Sequence, residues 1–216
     1  MRKLMVTLGV FALLSGPALA QQRFQFFGFG GGGVELLLNP SVQKELKLSE
    51  EQSGKAKEAV TKIREKFGDD LKRFRELSNE ERETVRKKMA DANTKAVEEI
   101  LKPDQLKRYK QIQLQQRGVN AFAEAEVQAA LKLSDEQKEK LKTLQEDLRR
   151  DMAELRKEGA GGNFQEIGKK IAARNKEAMT KTMETLNDDQ KKAWKELTGE
   201  PFELKPEQRR RPKPPA

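Results

Sequence analysis

The sequence predicts an all-α protein of two tandem helical-hairpin units, with long antiparallel helices, short flanking helices and an elongated or cradle-like shape. Three observations carry that expectation: segments that recur at one fixed offset, helix-start signals at matching places in each copy, and apolar residues at helical spacing between them. Residues 42–52 (VQKELKLSEEQ) and 127–137 (VQAALKLSDEQ) are identical at eight of eleven positions, 85 residues apart. Residues 101–112 (LKPDQLKRYKQI) align at the same offset with 186–197 (LNDDQKKAWKEL), where Tyr109 faces Trp194. Two separate matches at one offset mark a duplication.

The chain opens with the layout of a secretory signal over residues 1–20. Arg2 and Lys3 precede an apolar run from Leu4 to Leu14, followed by Gly16-Pro17 and the small-residue site Ala18-Leu19-Ala20. That run of 11 residues is shorter than the ~20 a membrane-spanning helix needs. Cleavage after Ala20 and a periplasmic or secreted location are therefore expected. Residues 21–38 predict a Gly/Phe-rich flexible linker, then repeat 1 covers 39–120 and repeat 2 covers 121–203. Residues 204–216, with Pro206, Pro212, Pro214 and Pro215 among Arg209, Arg210, Arg211 and Lys213, predict an extended basic tail.

Each repeat carries the same punctuation. Ser49 to Gln52 and Ser134 to Gln137 are capping boxes, in which the Ser oxygen accepts an orphan N–H and the Gln reaches back. Ser78 to Glu81 and Asn163 to Glu166 form a second pair at the same offset. Pro103 suits a first helical position, and Asn187 to Gln190 caps its counterpart. Between these starts, Ala56, Ala59, Ile63, Phe67, Leu71 and Phe74 step by three and four. So do Leu141, Leu144, Leu148, Met152 and Leu155. The return helices carry Val85, Met89, Ala92, Ala96 and Ile100, then Ile167, Ile171, Ala178, Thr182 and Leu186. Turns are expected at 76–79 and 159–163, and a first long helix over 49–75 would be about 40 Å long.

Composition narrows the chemistry. Only 35% of residues are hydrophobic and 37% are charged, against the 45–50% and 25% usual in compact domains, so the chain can bury thin stripes and not a thick core. Histidine and cysteine are absent, which removes His-dependent triads, thiol nucleophiles and most zinc or copper sites. No stretch pairs carboxylates in a way that suggests a dry pocket. The expectation is a protein that is not an enzyme and uses no cofactor and no metal. The net charge of +9 falls to +7 once Arg2 and Lys3 leave with the signal, which favours acidic partners. No nucleic-acid module is recognisable, and no later segment is apolar enough to span a membrane.

Four segments read Leu-polar-x-x-Gln: Leu48 to Gln52, Leu101 to Gln105, Leu133 to Gln137 and Leu186 to Gln190. Set around long hairpins behind a signal, they resemble the LTXXQ-motif family of periplasmic proteins (Spy/CpxP-like), over roughly residues 40–200. The family's Thr is replaced by Ser49, Lys102, Ser134 and Asn187. All but Lys102 can still cap a helix. The motif residues read as structural caps, with the Leu side chains inward and the Gln side chains holding the turn. The resemblance implies an ATP-independent chaperone or envelope-stress adaptor that binds unfolded or partner proteins in a thin helical cradle. The alternative it implies is a regulatory module that binds a membrane sensor. A third reading is a structural envelope protein docking to anionic surfaces through its tail. Candidate client-binding residues are Phe24, Phe26, Phe27 and Phe29 in the leader, and Arg73, Arg86 and Arg149 on the helices. Two fused units are expected to satisfy each other in one monomeric chain, a pseudo-dimer, where a single unit would leave its seam exposed.

Overall fold

The computed structural model describes residues 32–159 and 164–205, and in them the chain is all-α, without a strand. Its elements form one series given twice. The first series is a 3-10 helix η1 (Val34–Leu38), then α1 (Pro40–Leu46), α2 (Glu50–Lys72), α3 (Asn79–Ile100) and α4 (Pro103–Arg117). The second is η2 (Gly118–Ala123), α5 (Ala125–Ala130), α6 (Asp135–Gly159), α7 (Phe164–Glu184) and α8 (Asp188–Thr198). Every element of the second series starts within one residue of an 85-residue shift from its counterpart. Within each series the two long helices, α2 with α3 and α6 with α7, pack against each other.

The caps explain where these helices start. Ser49, Ser78 and Asn187 each accept from the N–H three residues on, while the side chain of that residue accepts from the cap's own N–H. Ser134 does the same with Gln137, at 3.2 and 3.1 Å. Lys102 has no acceptor to offer, so only the return half survives, Gln105 Oε1 accepting from Lys102 N–H at 3.0 Å. The box expected at Asn163 lies outside the described residues. Helix ends follow a shared device too. Lys47 and Lys132, both at φ 50°, turn the chain left-handed after α1 and α5. The N–H of Leu48 then donates to Gln43 O at 2.9 Å, and that of Leu133 to Gln128 O at 3.0 Å. The turn thereby carries Leu48 and Leu133 back toward the core.

Three boundaries differ from the sequence reading. Residues 34–38 are not linker: Val34, Leu36 and Leu37 are buried in the first core. Gly33 takes φ 123° where a Cβ would collide with the Asn93 side chain, and Asn93 Oδ1 accepts from Val34 N–H at 3.0 Å. The tail's beginning is also packed. Phe202 and Leu204 lie against the first core, and Asn39 Nδ2 donates to Lys205 O at 2.9 Å. The first long helix stops at Lys72, short of the expected 75, and Arg82 satisfies carbonyls of the turn that follows, reaching Phe74 O at 2.9 Å and Arg75 O at 2.7 Å. The signal segment 1–20, the leader phenylalanines, the turn at 160–163 and residues 206–216 lie outside the described residues.

Two apolar cores result, and α4 spans both. Tyr109 and Ile112 belong to the first, Leu114 to the second. Beyond α4, η2 buries Val119, Ala121 and Phe122 and packs on α6 and α7. In return, the residues after α8 bring Phe202 and Leu204 to the first core. Equivalent helices α4 and α8 also pack on each other. Gln115 locks that crossing, donating to Thr198 O and Glu200 O at 2.7 and 2.8 Å and accepting from Phe202 N–H at 2.7 Å.

Candidate functional site: glutamine clasps and open hairpin faces

The four motif glutamines meet in two pairs. Gln52 Nε2 donates to Gln105 Oε1 at 2.7 Å, and Gln105 Nε2 returns to Gln52 Oε1 at 3.2 Å. Each remaining donor takes a carbonyl at a helix end: Ile100 O at 2.8 Å for Gln52, Leu46 O at 3.0 Å for Gln105. Each Oε1 also accepts its own cap's N–H, from Ser49 and Lys102. The second repeat builds the same clasp. Gln137 and Gln190 exchange bonds of 2.8 and 2.9 Å, and Gln137 reaches Thr185 O at 2.8 Å. Gln190 reaches Lys132 O at 3.5 Å. A primary amide offers two donors and two acceptor sites, and here all are in use. The clasp joins the ends of α1 and α3 to the starts of α2 and α4, satisfying carbonyls that helix ends leave orphaned. Leu101, Leu133 and Leu186 are buried beside the clasps and Leu48 is half-buried. With no polar atom left over for a ligand, these motif residues organise the fold.

The faces that remain available lie toward the turns. In the first hairpin two seam residues are buried there, Phe67 at 2% exposure and Val85 at 7%, among half-buried Ile63, Leu71, Phe74, Leu77 and Met89. Phe74 sits under two guanidinium groups, Arg82 at 5.9 Å and Arg86 at 5.3 Å from its ring centre. In the second hairpin no described residue between 142 and 177 is fully buried. Leu144, Leu148, Met152, Leu155, Ile167 and Ile171 are all half-buried. Ion pairs bridge the helices instead, Lys170 to Glu158 at 3.2 Å and Arg174 to Asp151 at 3.5 Å.

Of the proposed binding cations, Arg73 caps the end of α2 with an exposed side chain 3.8 Å from Asp70. Arg86 covers Phe74 and lies 3.5 Å from Glu83. Arg149 is exposed on α6, on the other hairpin. The two aromatics that face each other in the repeat alignment are both core residues: Trp194 stacks on Phe122 with centroids 4.3 Å apart. Tyr109 is buried, and its hydroxyl donates to Gly33 O at 2.8 Å while accepting from Gln113 at 2.8 Å. Burial pushes the Tyr109 hydroxyl far above its ordinary pKa, so it stays neutral.

Sequence reasoning missed three features. Gln43 and Gln128, inside the repeated segment, fasten each 3-10 helix through Leu37 O and Phe122 O, both at 2.9 Å. Arg117 pairs with Glu124 at the joint between the units. Burial raises the Glu124 carboxyl above the usual range, more than Arg117 lowers it, and its Oε2 is buried without a hydrogen bond. Met179 and Met183 line an open hollow on α7. No group of three or more acidic side chains that could hold a metal ion occurs among the described residues, and no described helix is long and apolar enough to cross a membrane. The chain matches no protein-family model, and comparison with curated proteins and with solved structures gives no match.

Proposed function

We propose that this protein is an ATP-independent chaperone or envelope-stress adaptor of an exported compartment, holding unfolded or partner proteins on its hairpin faces. The observation that carries the reading is the outer half of the second hairpin, where six apolar side chains stay half-buried among charged neighbours. A monomer rarely leaves such a stripe open without a use for it. Surplus positive charge speeds capture of acidic chains, and small apolar contacts hold them weakly enough for release. The signal layout and the resemblance of the four Leu-polar-x-x-Gln segments support the same reading, with the motif shaping the scaffold and other surfaces binding.

The test is aggregation of an unrelated unfolding protein, followed by light scattering with near-stoichiometric amounts of the mature chain and no nucleotide. Suppression is expected, weakening as the Debye length shrinks from ~10 Å at 0.1 M salt to ~3 Å at 1 M. Absence of suppression at both salt concentrations overturns the holding activity and leaves the dedicated regulatory partner as the better reading.

A further inference from the structure

The duplicated units differ sharply at one patch. On α7 and the start of α8, Lys176, Met179, Thr180, Met183, Glu184 and Lys191 line an open hollow of about 470 Å³. The equivalent positions of the first unit, 85 residues earlier, are Asp91, Thr94, Lys95, Glu98, Glu99 and Leu106. Both methionines replace polar residues there. The formal charge changes sign, from net −2 (Asp91, Glu98 and Glu99 against Lys95) to net +1 (Lys176 and Lys191 against Glu184). Leu106 packs against the first core, whereas its counterpart Lys191 lines the hollow's wall. The backbone plan is shared, so the change of charge is not demanded by it.

We propose that this hollow docks an acidic polypeptide segment that bears one large apolar side chain. The apolar group fits between Met179 and Met183, which pack against the second core from its outer side. Methionine's unbranched, polarisable chain adapts to varied shapes. Lys176 and Lys191 then face the acids flanking that side chain. Lys191 has only a loose competitor, an exposed Asp188 at 3.9 Å, which a desolvating partner readily displaces. This deepens the holding function proposed above and rests on it, by naming where and what the second unit binds.

The experiment uses the full mature chain and a fluorophore-labelled peptide of Glu and Ser around one central Phe, titrated by anisotropy at low salt. Controls are the same peptide with Ala for Phe and with Lys for Glu. The variant M179T/M183E gives the second unit the first unit's residues, which the same scaffold already accommodates. Binding of the Phe peptide is expected, with about a tenfold or greater loss in the variant and in the Ala peptide. Failure of wild type to bind, or equal binding by M179T/M183E, overturns the proposal; equally tight binding of the Lys peptide overturns its acidic half. Aggregation suppression on the same proteins separates the two ideas. Suppression with no peptide binding leaves the function standing and this site wrong, while peptide binding lost in the variant without suppression supports the site and removes the general holding activity.

Discussion

The two hairpins share a backbone plan and differ in what closes them toward their turns. In the first, Phe67 and Val85 are buried and Phe74 is covered by Arg82 and Arg86. In the second, the equivalent residues are Met152, half-buried, and Lys170, which bridges to Glu158 and Glu166. Exposed ion pairs contribute little, about 0–1 kcal/mol each, while a buried Phe contributes several times that. The ends that carry the glutamine clasps share the paired glutamine exchange and the return bonds to the cap N–H groups. Duplication has therefore kept the joint and relaxed the turn end of one arm, while the Met-lined hollow lies at the other end of α7, beside the second clasp.

The sharpest way to break this comparison is to truncate the two equivalent seam residues. Phe67→Ala should cost about 3–4 kcal/mol in urea unfolding, because it empties a closed site. Met152→Ala should cost under about 1.5 kcal/mol, since the side chain is half in water already. Equal losses would mean that both arms are sealed alike. The clasps predict the opposite pattern, equality. Gln105→Glu and Gln190→Glu keep the acceptor for the cap N–H but lose both donors, leaving helix-end carbonyls unpaired. Each should cost about 2 kcal/mol, read by the same unfolding curves, and a large difference between them would deny that the two joints are equivalent.

Much of this plan was legible because it depends on local chemistry. A Ser or Asn followed three residues later by Gln or Glu satisfies its own helix end wherever it is placed, so Ser49, Ser78, Ser134 and Asn187 could be read directly. The second job of Gln52, its bond to Ile100 O, depends on α3 returning to that spot, and no spacing encodes it. The seam was read too narrowly for the same reason. Ala59 and Ala96 pack against the first core as expected, and Val60 and Val97 beside them are the more deeply buried, since η1 packs over α2 and α3 and widens the apolar stripe. That 3-10 helix was hidden by the Gly-rich run before it, although Gly33-Val34 and Gly118-Val119 repeat at the 85-residue offset. The Met hollow was invisible because Met179 and Met183 belong to no motif and become neighbours of Lys191 only through the packing of α7 and α8.

Smaller effects sharpen the comparison further. Ser49→Ala and Ser134→Ala should each cost about 1 kcal/mol in thermal unfolding and leave client binding intact; loss of binding at unchanged stability would give the motif a direct binding role. At the joint, Glu124 has a folded pKa raised by burial. Its contribution is fully present below the unfolded carboxyl value near 4.5 and is lost as pH rises through the folded value. Stability should therefore decline over the interval just above pH 4.5, and Glu124→Gln should flatten that decline in a series of melting temperatures. An unchanged slope would remove Glu124 as its source.

Hydrogen exchange on the full mature chain, alone and with an equal amount of an unfolding protein, bears most directly on the claim that the relaxed arm is the working face. In the free chain, amides of residues 144–158 and 165–177 should exchange faster than those of 59–74 and 79–92, because few buried contacts oppose local opening. Adding the unfolding protein should slow exchange in 144–158 and 165–183 while leaving the clasp amides at 49–52 and 134–137 unchanged. Equal exchange in the two arms, or protection confined to the first hairpin, would contradict the account.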